Sequence, residues 1–292
     1  MHAASLNSRR GIVALLVGAV ASLAGACGLF SEPGLVVYTA GEEGQRDIVI
    51  VGTDGAEVAT SLAHEADDFG PVWSPNRQSI AFLSDRDGNV ELYIAGADGG
   101  SVLRATNTGV PESQPTWSPE GDRLAYTSPD GDGKPQIYWL RLSDLIPHRL
   151  QFRSESESDP AWSPKGVWIA FASLDADGRS LGLSLRNPDG VDELRISQSP
   201  DRSPVWSPDG RRIAFLSDRG ESLDILTVSD GGEDLRELTR NDIAEVAVRW
   251  GADGRIVFES QPLGLSALFI VDADGTQQQL THGTASASQP NW

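Results

Sequence analysis

The residues able to do chemistry in this chain are overwhelmingly carboxylates. Asp and Glu number 42 among 292 residues against 23 Lys and Arg, for a formal net charge of −19. Paired carboxylates suit general acid–base work on a saccharide, and hard oxygen ligands suit a divalent cation such as calcium. Other chemistries lack their parts. His2, His64, His148 and His282 show no metal-ligand spacing, and the single cysteine, Cys27, cannot complete a zinc set. No Gly-x-Ser-x-Gly elbow, phosphate loop or dinucleotide fingerprint is present. So acidic a body repels phosphates, and nucleic acid is not expected as a partner.

The elements that hold these carboxylates come from internal repetition. Trp73, Trp117, Trp162, Trp206, Trp250 and Trp292 recur at spacings of 44, 45, 44, 44 and 42. Tyr38, Phe82, Tyr126, Phe171, Phe215 and Phe258 follow the same beat. The clearest unit runs Pro204-Val-Trp206-Ser-Pro-Asp-Gly210, Ile213-Ala-Phe215, Asp224-Ile-Leu226, Asp230-Gly231 and Leu238-Thr239. Pro208-Asp209-Gly210 presets φ and then tolerates a positive one, which predicts a tight hairpin. Apolar triplets such as Ile80-Ala-Phe82 are long enough for a buried strand but not for a helix. Each unit therefore holds about four strands, the content of a propeller blade.

Six such units predict an all-β, six-bladed β-propeller over residues 35–292, with no room for a second domain. The first unit starts at Leu35-Val-Val-Tyr38, the second strand of the pattern, and the chain ends on Gln289-Pro-Asn-Trp292, the first strand. The C-terminal strand is thus expected to complete the opening blade and close the ring.

If strands run from the axis outward, the loops leading into each Trp strand share a face with the loops after each Phe or Tyr strand. The first set carries Asp67, Asp68, Glu112, Glu155, Glu157, Asp159, Asp201 and Glu245; the second carries Asp85, Asp130, Asp132, Asp175, Asp177 and Asp218. One acidic face around the channel mouth is the expected binding surface, for a basic segment of a partner protein or peptide. Solvated turn residues are the plainer reading, since aspartate favours turns. Calcium in or near the channel is a weaker alternative, because Asp130-Gly-Asp132-Gly and Asp175-Ala-Asp177-Gly lack a full ligand series. No cofactor is otherwise expected. Arg86 and Arg219 are expected to pair with local carboxylates, and Trp139 and Trp168, outside the ladder, to pack in the core.

Residues 1–26 differ from the rest. Arg9-Arg10, an apolar run from Gly11 to Ala26 and the small residues before Cys27 describe an export signal, too short to span a bilayer comfortably. The segment resembles a bacterial lipoprotein signal, which implies lipidation of Cys27 and a short linker, residues 27–34, before the propeller. Removing two arginines takes the net charge from −19 to −21.

Pro71-Val-Trp-Ser-Pro75, Pro115-Thr-Trp-Ser-Pro119, Pro160-Ala-Trp-Ser-Pro164 and Pro204-Val-Trp-Ser-Pro208 resemble the repeats of TolB-type propellers, as do Ser84-Asp-Arg86, Ser217-Asp-Arg219, Leu92-Tyr93 and Ile137-Tyr138. The resemblance covers nearly all of residues 35–292 and implies the fold; the repeated residues build scaffold, so it says less about function. Together these features lead to the expectation of a monomeric, lipid-anchored, extracytoplasmic binding module of the cell envelope. A carbohydrate-active hydrolase or lyase using channel carboxylates is the alternative.

Overall fold

A computed structural model describes residues 35–40, 44–52, 57–62, 64–150, 155–189, 192–218, 222–240, 245–251, 254–260 and 267–279. The strands gather into consecutive antiparallel sheets of the propeller type. Strands β1 (Leu35–Ala40), β2 (Asp47–Gly52) and β3 (Glu57–Ser61) form a three-stranded sheet. The second sheet holds β4 (Asp68–Trp73), β5 (Ser79–Ser84), β6 (Glu91–Gly96) and β7 (Leu103–Arg104). The third holds β8 (Ser113–Trp117), β9 (Arg123–Pro129), β10 (Pro135–Arg141) and β11 (His148–Arg149). In the fourth are β12 (Ser156–Trp162), β13 (Ile169–Leu174), β14 (Ser180–Arg186) and β15 (Glu193–Arg195). The fifth comprises β16 (Asp201–Trp206), β17 (Arg212–Asp218), β18 (Leu223–Ser229) and β19 (Arg236–Glu237). The last comprises β20 (Glu245–Trp250), β21 (Ile256–Ser260), β22 (Ala267–Val271) and β23 (Gln277–Gln279).

Among the described residues five blades are four-stranded, where six were expected. The strand expected to complete the first sheet, Gln289–Trp292, lies outside the described residues, as do Cys27 and Arg219.

The core is divided among the seams between blades. Five separate apolar clusters each join one sheet to the next. The Ile-Ala-Phe pattern explains how. Successive side chains of a strand point to opposite faces, so Ile80 and Phe82 of β5 pack against the first sheet while Ala81 and Leu83 pack against the third. In β17, Ile213 and Phe215 face the fourth sheet, and Ala214 and Leu216 face the sixth. A large residue on one side meets small ones on the other, and the wedge-shaped blades interlock. Phe82, Phe171 and Phe215 have no exposed surface and Phe258 has 1%.

Indoles pin the seams together. Trp117 Nε1 donates to the Val72 carbonyl at 3.0 Å, Trp206 Nε1 to Ala161 at 3.0 Å, and Trp250 Nε1 to Val205 at 3.1 Å. Each acceptor is the residue just before the preceding blade's tryptophan. Below the indole, the Ser-Pro-x-Gly turn closes the hairpin. In the fifth blade Gly210, at φ 62°, donates to the Ser207 carbonyl at 2.8 Å, and the Ser207 hydroxyl accepts from Arg212 N at 2.9 Å. The second blade has Arg77 at this left-handed position, with φ 59°. The two tryptophans outside the ladder pack as expected. Trp139 is buried with His148 stacked at 4.6 Å, and Trp168 lies against the core of the fourth and fifth blades.

Candidate functional site

Each of the innermost strands β4, β8, β12, β16 and β20 carries, at its start or within one residue of it, a carboxylate five residues ahead of its tryptophan. These are Asp68, Glu112, Glu157, Asp201 and Glu245, and none is more than 2% exposed. All five were expected on an exposed rim and are instead inside the molecule. The register explains it: Asp68, Glu157, Asp201 and Glu245 lie directly across from Ser84, Ser173, Ser217 and Ser260, also buried. The Ser217 hydroxyl donates to Asp201, and Asp68 takes the Arg86 guanidinium at 2.9 Å. Burial raises the Asp68 pKa above the usual carboxylate range, against the opposing pull of Ser84 and Arg86. Buried carboxylates are stable only when bonded in this way.

Glu112 has a different surrounding. Its oxygens accept from the Thr106 and Thr108 hydroxyls at 2.8 and 2.6 Å. Glu91 of the preceding blade, itself fully buried, lies beside it. Burial pushes the Glu112 carboxyl up to about 7. Burial acts the same way on Glu91, but hydrogen bonds from Thr106, Asn89, Glu112 and Arg104 outweigh it and hold that carboxyl low. Arg104 binds Glu91 at 3.0 Å, and Thr108 N donates to it at 3.1 Å. Donors occupying both groups leave no oxygen cage for a cation.

Among the remaining candidates, Asp85, Asp132, Glu155, Asp177 and Asp218 are exposed, at the end of the blades where the inner strands begin. Asp130 and Asp175 are half-buried turn caps. Asp130 Oδ1 accepts from Asp132 N and Lys134 N, and Asp175 Oδ1 from Asp177 N and Arg179 N. Asp67 is buried against Arg46, whose guanidinium holds its carboxyl below the usual range. Among the described residues no group of three or more His, Cys, Asp or Glu is arranged to hold a metal.

Four of the innermost strands, β4, β8, β12 and β16, share a bulge three residues before the tryptophan. Gly70, Gln114, Asp159 and Ser203 occupy it with φ of 61°, 55°, 55° and 53°. The left-handed backbone costs a non-glycine residue about 1–2 kcal/mol, and side-chain bonds from blade to blade offset it. Gln114 Nε2 donates to Asp159 Oδ1, Asp159 N to Gln114 Oε1 at 3.0 Å, and Ser203 N to Asp159 Oδ2 at 3.2 Å. Burial raises the Asp159 pKa, opposed by the Ser203 amide and by Arg202 and Arg249.

Arg249 escaped the sequence reading. It precedes the ladder tryptophan of the last blade, where the other described blades have Val72, Thr116, Ala161 and Val205. Burial lowers its pKa, and the charge of Asp159 partly restores it. Those two residues stand on β12 and β20, the innermost strands of the fourth and last sheets. Aligning the repeats by their tryptophans would have found Arg249 as the odd charge. The same alignment would have exposed the buried carboxylates as a third ladder, spaced 44, 45, 44 and 44, and therefore as scaffold.

The family model described as "TolB beta propeller domain" matches residues 30–202. TolB from Acinetobacter baumannii has a similar structure, with a TM-score of 0.74 at 20% identity, covering 94% of this chain and 71% of that one. The putative TolB from Agrobacterium tumefaciens gives 0.66 at 21% identity, covering 77% and 86%. Oligogalacturonate lyase from Vibrio parahaemolyticus gives 0.58 at 11% identity, covering 85% and 73%, a likeness of fold alone. No curated protein matches the chain by sequence.

Proposed function

Because the chain belongs to the TolB β-propeller domain family, we propose that it is an exported, monomeric binding module of the cell envelope, held to a membrane through lipid on Cys27. The observation that carries this reading is the division of the carboxylates. The repeated ones are bonded inside as scaffold, while Asp85, Asp132, Glu155, Asp177 and Asp218 stay in solvent on one face, in a molecule of net charge −19. That face attracts and orients a basic segment of an envelope protein. The enzyme alternative loses support, because six of the fourteen acids that were to act at the channel mouth are buried in the scaffold.

In this reading the ring has six blades, with Gln289–Trp292 completing the sheet of β1, β2 and β3. The tryptophan ladder supports it, since Trp292 continues the series that ends the innermost strands of the other blades. The Trp73 indole N–H is buried and lacks an acceptor among the described residues, as does that of Trp162.

The test is copurification from crosslinked envelopes with the full chain. Asp132→Lys, Asp177→Lys and Asp218→Lys combined should lose the captured partner without changing the melting temperature. Undiminished capture would refute the acidic face. Cys27→Ala should release the protein from the membrane fraction, and retention there would refute the anchor.

A further inference from the structure

The two ends of each blade differ, and the chain enters at one of them. The innermost strands begin at one end, beside Asp85, Asp132, Asp177 and Asp218; the turns that follow their tryptophans form the other. Strand β1 runs from the turn end to the acidic end. Its last residue, Ala40, pairs with Asp47. The neighbouring Arg46 carbonyl accepts from Asp68 N at 2.8 Å, where the inner strand of the next blade starts. Leu35, at the opposite end of β1, pairs with Gly52. The chain that follows Cys27 therefore meets the propeller at the turn end. Successive turns there pack on one another. A Cβ on Gly121, Gly166 or Gly210 would stand 3.6, 3.3 or 3.1 Å from Pro75, Pro119 or Pro164 of the preceding turn, and Lys165 Nζ donates to the Gly210 carbonyl at 2.9 Å. Pro75, Pro164, Val167 and Pro208 are exposed on this end.

We infer that the turn end is a membrane-contact surface, lying against the bilayer that holds Cys27, and that the acidic end looks away from it. This deepens the binding-module reading and rests on its lipid anchor. Eight residue steps separate Cys27 from Leu35, a reach of about 26–29 Å when fully extended. To bring the acidic end to the bilayer, the tether would have to pass outside β2 and β3 and then climb the height of a six-residue strand. At the usual strand spacing and rise these legs are about 10 and about 20 Å. The detour consumes the whole reach before any loop is cleared. Headgroup charge does not choose between the ends, because the outer loops of the turn end carry exposed acids too, at Asp98, Asp144 and Asp189; the tether does. The basic partner then meets the acidic end from the aqueous side, and the headgroups of the anchoring bilayer are out of that end's reach.

The test uses the full lipidated chain in phosphatidylcholine vesicles whose headgroups carry an acceptor dye. Lipidation consumes Cys27, the only cysteine, so one introduced cysteine takes a donor dye at a chosen place. Gln78→Cys and Val167→Cys label the turn end, and Asp132→Cys and Asp177→Cys the acidic end; all four positions are exposed. Energy transfer should be stronger from the turn-end labels, by the amount that matches donors about 20 Å nearer the bilayer. Inserting about 30 Gly and Ser residues after Gly28, a coil of about 30 Å, should erase the difference. Equal transfer from both ends, stronger transfer from the acidic end, or a difference that survives the long linker would overturn the orientation, and a protein that still floats with the vesicles would leave the anchor standing. A chain that does not float with them would overturn the anchor, and this inference with it.

Discussion

Glu112→Gln should make the protein less sensitive to pH between about 4.5 and 7, and more stable than the parent at the upper end. The seam between the second and third blades holds two buried carboxyls, Glu91 and Glu112, and one guanidinium, Arg104, bound to Glu91. Asp87, Tyr93 and Tyr126 are the other titratable groups nearby, and Asp87 is itself held by Arg104 and the Tyr93 hydroxyl. Arg104 and the Thr108 amide keep Glu91 ionised, so the seam's proton stays on Glu112, whose carboxyl rises from 4.5 to about 7. A carboxyl with a raised folded-state pKa contributes its full stability below its unfolded value. It loses that contribution as pH climbs through the folded value. At 1.36 kcal/mol per tenfold, the rise is worth at most about 3.4 kcal/mol. Sharing the interaction with Glu91 brings the expectation to the order of 2 kcal/mol. Glutamine keeps an acceptor for Thr106 or Thr108 and an N–H₂ for Glu91, and has nothing to titrate. Urea unfolding at constant ionic strength from pH 4.5 to 8 measures the effect. The difference in unfolding free energy should grow in favour of the variant as pH rises, and level off above about 7.5. Parallel curves, or a parent that gains on the variant with rising pH, would refute the shared proton.

Other seams and turns give further expectations. Trp206→Phe keeps the ring in the core and removes the indole N–H from the Ala161 carbonyl; urea unfolding should show a loss of about 1 kcal/mol, and no loss would deny the indole its pinning role. Arg77→Gly relieves a left-handed residue and should raise stability by about 0.5–1 kcal/mol. Gly182→Ala should do the opposite by more than about 2 kcal/mol, because φ is 125° and the new Cβ would meet the Ser197 carbonyl oxygen at 2.4 Å. A tolerated alanine there would show that the fourth blade opens easily at its outer strands.

The tryptophan and phenylalanine ladders determined the propeller from sequence alone. Strand content, turn chemistry and the large–small alternation of Ile-Ala-Phe are local properties, and a period of about 44 residues leaves few architectures that bury both faces of every sheet. Pairing of Arg86 with a nearby carboxylate was legible for the same reason: Asp68 and Ser84 share one hairpin.

Burial of the five ladder carboxylates was decided by tertiary structure. An aspartate before a strand reads as a turn residue until the next blade closes over it and the second strand's serine lies opposite. Glu91 and Glu112 meet only because neighbouring blades stack, so their shared proton has no signature in either segment. Asp159 shows the same limit more sharply. Its charge and place in the repeat are visible in the chain, but Gln114 lies 45 residues earlier and Ser203 44 residues later, and only the stacking of successive blades brings the three within range of each other.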